Sequence, residues 1–174
     1  MKRVFYASAA VLGLISAAGC ASGRISEKSY LRAAAISDNK LTFCFFDEDK
    51  TVVGTGDDTD SAKKAAELMC GRPVFTGFTE LIIVDGKNTL MLLEHMLDSW
   101  RLSPSCTVVY SDNGEELLRD KGAELLIGIA HEAVKQGIAP ECDIITVLGE
   151  LCRDGSAGVA ELRSDGSAGR RTIY

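Results

Sequence analysis

The sequence predicts an α/β fold of the α+β type: a single domain with helices packed on a mixed β-sheet, preceded by a signal-peptide helix. The central observation is an order of strand, helix and strand between residues 75 and 118. An apolar run at 81–84 ends at the Asp85-Gly86 turn, a helical stripe follows, and 106–110 is a second apolar run. This βαβ order is typical of a sheet covered by helices.

Two predicted β-hairpins complete the sheet. Residues 30–36 and 41–46 are apolar runs around the Asp38-Asn39 turn, and 51–54 is a short third strand. Near the end of the chain, 159–163 and 170–174 flank the turn at Asp165-Gly166. The pentapeptide Asp-Gly-Ser-Ala-Gly occurs at 154 and again at 165, which is too few copies for a repeat architecture.

The helices are predicted from apolar spacing and from their ends. A helix over 61–70 has Asp60 or Thr59 as its N-cap and Gly71 as its stop. Residues 111–118 form a turn into another helix, 122–136 form a long one that ends before Gly137, and Asp143 caps a last one over 144–152. The side chains expected to face the sheet are Ala62, Ala65, Ala66 and Met69; Leu90, Leu93, Leu97 and Trp100; Leu125, Ile129 and Ala133, with Leu126 and Ala130 beside them; and Ile145, Leu148 and Leu151.

Residues 1–19 are predicted to be a lipoprotein signal peptide. Lys2 and Arg3 give a positive start, and residues 4–18 form an uncharged run that is too short for a comfortable membrane span. Small residues precede Cys20 as in a bacterial lipobox, with Ala17 where Leu is commoner. We expect a diacylglycerol on Cys20, a polar leader over 20–28 and the domain over 29–174. The alternative is an ordinary secretory signal that contains a cysteine.

The net charge argues against nucleic acid as a partner. The formal value of −6 becomes −8 once Lys2 and Arg3 leave with the signal peptide. An acidic surface suits neither nucleic-acid phosphates nor anionic lipid headgroups. Attachment to the membrane is therefore expected to come from the lipid on Cys20.

The cysteines after Cys20 are odd in number, so they cannot all pair within one chain. None are spaced as in a zinc site. Buried thiols are expected at Cys44, Cys70 and Cys106, whereas Cys142 and Cys152 have the spacing to close a short loop in an oxidising compartment.

No catalytic or metal-binding motif is found. The acidic run 57–60 lacks the ligand spacing of a calcium loop and favours a turn before a helix. His95 and His131 each lie alone on a helix, without a second histidine at helical spacing, so a catalytic pair would have to form across the fold. Nucleophile elbows, phosphate-binding loops and dinucleotide-binding glycines are absent. We expect no catalytic residue, no metal and no cofactor.

The order of these features resembles the N-terminal domain of the Ger(x)C spore germination lipoproteins, the C-type subunits of nutrient germinant receptors. The segments that carry the resemblance are Cys20 after Ala-Gly, 30–36, 75–84, 93–101, 106–110, 115–118, 144–152, Gly155 and 157–160. Two features differ: Ala21-Ser22 stand where the family often has Trp-Asp, and family members continue into further C-terminal domains.

The resemblance implies a non-enzymatic subunit with Cys20 as its lipid anchor. It would be exported to the outer face of the cell membrane, or the spore inner membrane, and would dock with integral membrane receptor subunits. The first alternative is a small-ligand-binding lipoprotein associated with a transporter. The second is an exported hydrolase, which a deep pocket with converging His95, His131 or carboxylates would favour.

Overall fold

The computed structural model describes residues 27–37, 40–47 and 51–174. The predicted signal peptide at 1–19, Cys20, most of the leader and the Asp38-Asn39 turn lie outside the described residues. In chain order the elements are β1 (Ser29–Ser37), β2 (Lys40–Phe45), β3 (Thr51–Thr55), α1 (Thr59–Cys70), β4 (Val74–Phe75), β5 (Leu81–Val84), α2 (Thr89–Asp98), β6 (Thr107–Tyr110), α3 (Gly114–Lys121), α4 (Ala123–Lys135), α5 (Ile144–Asp154), β7 (Ala157–Leu162) and β8 (Ala168–Ile173).

The described strands form one mixed sheet in the order β3-β2-β1-β5-β6-β7-β8, with the short β4 pairing beside the start of β1. β1, β5, β6 and β7 run parallel, whereas β2 and β8 return antiparallel as the second strands of hairpins. The predicted fold class and both predicted hairpins are therefore confirmed.

The parallel strands give the sheet two distinct ends. We call the end at which they begin the amino edge, and the end at which they stop the carboxyl edge. The chain enters β1 at the amino edge, where the amide of Ser29 donates to the carbonyl of Pro73 at 3.0 Å. The loops after β3, β5 and β6 lie at the carboxyl edge.

Helices cover both faces of the sheet. α1 lies on β2 and β3, where a Cβ on Gly54 would come within 2.0 Å of the Ala62 carbonyl oxygen. α3 lies on β1, where a Cβ on Gly114 would come within 3.2 Å of Ala35 Cβ. Gly54 pairs with Leu41, and Leu41 pairs with Ile36, so Gly54 and Ile36 face the same side of the sheet. Ala35 is next to Ile36 on β1 and therefore faces the other side. The two helices thus lie on opposite faces. α2 and α5 share the face of α1, and α4 shares the face of α3.

Several helix details differ from prediction. The N-cap of α1 is Asp58, whose carboxylate accepts from the amide of Ser61 at 2.7 Å, rather than Thr59 or Asp60. Met69, in the last turn of α1, is exposed rather than turned towards the sheet. Leu125 and Ile145 are also exposed, since the buried stripes of α4 and α5 are rotated by about one residue from the predicted ones.

Other details agree. Gly71 ends α1 in the left-handed conformation, with φ of 66°. Asp143 caps α5 by accepting from the amides of Ile145 and Thr146 at 3.1 and 3.0 Å. Leu93 and Trp100 are buried as predicted, together with Met96. No helix within the described ranges has the length and hydropathy of a membrane span.

Candidate functional site

Four aromatic side chains form an open cluster at the amino edge, which we call the aromatic surface: Tyr30, Phe46, Phe75 and Phe78. The ring of Tyr30 lies 5.5 Å from that of Phe75 and 6.0 Å from that of Phe78, and the two phenylalanines are 5.2 Å apart. These spacings are those of favourable aromatic pairs. Phe78 is nevertheless 60% exposed, and Phe46, which lines the same cleft as Phe78, is 42% exposed. Three of the rings thus pack on one another, and the surface faces outward.

Strand pairing brings these rings together from distant parts of the chain. Tyr30 in β1 pairs with Phe75 in β4, and the amide of Phe46 donates to the Tyr30 carbonyl at 3.0 Å. Gly77 allows the Phe75 ring to lie against the loop, since a Cβ there would be 2.9 Å from Phe75 Cζ.

The loop that carries Phe78 is fixed by buried threonines. The hydroxyl of Thr76 donates to the Trp100 carbonyl, and that of Thr79 donates to the Thr76 carbonyl at 2.7 Å. Both threonines are buried. Phe78 therefore projects from an anchored turn rather than from a loose one.

Cations border the aromatic surface. Lys28 Nζ lies 5.4 Å from the centre of the Phe75 ring, and the Arg32 guanidinium lies 5.3 Å from that of Phe46. Both distances are within the range of cation–π attraction. Arg32 also donates to Glu80 at 2.9 Å, and this hydrogen bond raises the pKa of Arg32. The hydrogen bond to Glu80 thus holds Arg32 in place. Lys28 lies directly before β1, where the chain enters the sheet.

A cleft of about 550 Å³ opens beside the aromatic surface. Its lining residues are Phe46, Gly77, Phe78, Thr79, Glu80, Ser103, Ser105, Thr107, Ile127 and His131. A hollow of about 350 Å³ continues from it past His131 towards Asp143. His131 Nε2 is 3.5 Å from the hydroxyl of Thr107. Two rings, several hydroxyls and an imidazole suit a small ligand with an apolar body and a few hydrogen-bonding groups.

The two histidines do not come together. His95 is on α2, where its Nε2 lies 3.1 Å from Asp60 Oδ1, and the indole of Trp100 donates to the same oxygen at 2.9 Å. The hydrogen bond from Trp100, followed by that from His95, lowers the pKa of Asp60. His131 is on α4, on the opposite face of the sheet. The structure therefore does not form a catalytic pair from these two residues.

His95 also has a serine neighbour, since Ser99 Oγ is 3.4 Å from its Nδ1. The side chains of Ser99, His95 and Asp60 are thus linked from serine to histidine to aspartate, as in a hydrolase triad. However, Ser99 is one helical turn from His95, and Asp60 is shared with Trp100. The cluster's evident effect is to tie the start of α1 to the end of α2.

The acidic run 57–60 behaves as a helix start. Asp58 caps α1, and the hydrogen bond from the Ser61 amide lowers the pKa of Asp58. Asp57, Asp58, Asp60 and His95 line a second open hollow of about 510 Å³. Within the part of the chain that the structure describes, no three His, Cys, Asp or Glu side chains are grouped to hold a metal ion.

The cysteines occupy different environments. Cys106 is buried, and burial raises its pKa to about 12, so its thiol stays protonated. Burial also raises the pKa of Cys142. Cys44 and Cys70 are only half-buried, which is less than predicted. Cys142 and Cys152 are both unbridged, so the predicted option of a short disulfide loop is not realised.

Comparison with protein families, with curated proteins and with solved structures found no match to this chain.

Proposed function

We propose that the protein is a non-enzymatic, lipid-anchored accessory subunit on the outer face of a membrane. It docks with integral membrane subunits of the germinant-receptor type and acts in spore germination. The structural observation that supports this proposal is the aromatic surface at the amino edge. Exposed apolar patches of this kind mark sites of protein or membrane contact.

The position of that surface relative to Cys20 strengthens the proposal. The segment from Cys20 to Ser29 spans at most about 30 Å when fully extended. An acylated Cys20 would therefore hold the amino edge close to the lipid. The diacylglycerol supplies location, and the fold keeps the aromatic surface on the membrane side.

Two measurements test the proposal. Cys20→Ala should remove the acylation site, so that mass spectrometry finds no acylated N-terminal peptide and the protein is no longer extracted with lipoproteins. Affinity purification of the tagged wild-type protein from sporulating cells should recover multi-span receptor subunits. Acylation without any receptor subunit in the purified material would keep the anchor and reject the receptor role.

A second candidate function is a small-ligand-binding lipoprotein associated with a transporter. The cleft between Phe78 and His131 favours it. Thermal denaturation with panels of amino acids, sugars and nucleosides would detect such a ligand as a rise in melting temperature. His131→Ala should abolish that rise, whereas His95→Ala, on the opposite face, should keep it. Recovery of a transporter in the affinity purification would favour the same function.

A further inference from the structure

The large apolar side chains with exposed surface are unevenly distributed over the described residues. Most lie at the amino edge: Phe46, Leu68, Met69, Phe78, Ile145 and Tyr174. Several of them are strongly exposed, with Leu68 at 84%, Tyr174 at 74% and Met69 at 68%. Scattered exposed apolar residues are common on proteins, but their collection at one edge is not.

Backbone pairing places each of these groups at the amino edge. Leu68 and Met69 end α1, just before Pro73, which accepts from Ser29. Ile145 is in the first turn of α5, where the amide of Ile144 donates to the carbonyl of Cys106, the residue before β6. Tyr174 follows Ile173, which pairs with the first residue of β7.

The carboxyl edge has a different composition. The loops after β3, β5 and β6 and the start of α1 carry carboxylates: Asp57, Asp58, Asp60, Asp85 and Asp112. Met91, in the first turn of α2, is a large exposed apolar side chain at this end. Exposed carboxylates also lie at the amino edge, at Asp47, Glu80 and Glu141, so the two edges differ in their exposed rings and aliphatic chains rather than in acidic charge.

We propose that the amino edge rests on the lipid bilayer itself, with Phe78, Phe46 and the end of α1 among the headgroups. This inference rests on the proposed lipid anchor at Cys20, whose tether of at most about 30 Å brings this edge to the bilayer. Aromatic and aliphatic side chains partition into the interfacial region. Lys28, over the Phe75 ring, and the exposed Arg101, whose carbonyl borders Gly77, add positive charge to this edge.

Lipid is the occupant that fits this edge best. The exposed side chains are spread over helix ends, loops and the last strand rather than gathered in one groove, which suits a planar and fluid surface better than a single protein segment. The arrangement gives the protein two membrane attachments, the acyl chains and the amino edge. The carboxyl edge then points away from the membrane.

The inference is tested with the full-length lipidated protein reconstituted into vesicles of phosphatidylethanolamine and phosphatidylglycerol. Phe78→Trp introduces an indole at the amino edge, and Met91→Trp introduces one at the carboxyl edge as the matched control. Both sites are exposed, so neither change disturbs the core. Acyl chains brominated near the headgroup quench an indole that touches the membrane. Wild-type protein supplies the baseline from the buried Trp100.

We expect brominated vesicles to quench the Phe78→Trp variant and to shift its emission to the blue, and to leave the Met91→Trp variant unchanged. Protein that floats with the vesicles without quenching at Phe78→Trp overturns the lipid contact and keeps the anchor. Equal quenching at both positions overturns the orientation. Protein that does not float overturns the proposed anchor, and this inference with it.

Discussion

The two edges of the sheet hold their surface side chains in different ways. At the amino edge, rings and aliphatic chains stay exposed and are held by strand pairing and by buried threonine hydroxyls. At the carboxyl edge, carboxylates are engaged locally, as Asp58 is by the start of α1 and Asp60 is by Trp100 and His95. A surface carboxylate is stabilised by hydrogen bonds from nearby donors. An exposed ring is stabilised only when another surface removes it from water. The difference points to the amino edge as the contact surface.

The largest expected effect concerns packing near the carboxyl edge. Gly54→Ala would place a Cβ 2.0 Å from the Ala62 carbonyl oxygen, which is main chain and cannot rotate away. We expect a loss of about 3 kcal/mol or more in the free energy of unfolding, measured by urea denaturation. Gly128→Ala is the control, because that helical position is open. It should raise stability by about 0.5–1 kcal/mol. Equal stability of the two variants would contradict the close packing of α1.

At the amino edge the expected effect is on membrane affinity. Phe78→Ser removes one ring that we propose to lie in lipid, so lipidated protein should transfer to acceptor vesicles about tenfold faster. The free energy of unfolding should hardly change, because Phe78 is mostly exposed. Met91→Ser is the control and should transfer at the wild-type rate. A similar acceleration in both variants would remove the distinction between the edges.

Helix caps offer a comparison of stability between the edges. Asp143, at the amino edge, accepts from two amides and from the hydroxyl of Thr146 at 2.6 Å. Burial opposes its ionisation, but these hydrogen bonds hold the pKa of Asp143 below its ordinary value. Asp143→Ala should cost about 1 kcal/mol by urea denaturation. Asp58→Ala, at the exposed cap of α1, should cost less, and a reversed order would contradict the geometry.

The smallest predicted effect is a pH dependence at the carboxyl edge. The pKa of Asp60 is lower in the folded protein than its ordinary value of 3.8, through Trp100 first and then His95. Its stabilisation is therefore fully present above the unfolded pKa and is lost as pH falls through the folded pKa. Asp60→Asn should cost about 0.5 kcal/mol near neutral pH, since the side chain is half exposed. The difference from wild type should vanish in acid, and a difference independent of pH would show that the carboxylate charge is not involved.

Much of the fold was accessible from local sequence. Both hairpins, the strands at 81–84 and 107–110 and the caps at Gly71 and Asp143 follow from turn residues, apolar runs and side-chain oxygens that act within a few residues. The rotation of each helix about its own axis, which decides the buried face, was harder to predict from the sequence. Apolar spacing identified α4 and α5, yet the buried stripe moved off Leu125 and Ile145, because the contacting sheet selects which of several adjacent apolar residues turn inward.

The candidate site was not visible in sequence. In the sequence, Tyr30 and Phe75 look like ordinary strand residues. Only the pairing of β1 with β4 makes them neighbours of Phe78. Phe46 joins them because β2 returns to the place where β1 began. A signal was present in the closely spaced Phe75 and Phe78 with Gly77 between them, but it indicated a strand start as readily as a surface.

By itself, the sequence determined the fold class, the element order and most element ends, because these depend on short-range patterns; the anchor at Cys20 stays a prediction. The tertiary structure alone decided that His95 and His131 lie on opposite faces and that exposed apolar side chains collect at the amino edge. Those properties depend on strand order and direction, which bring together residues far apart in the chain.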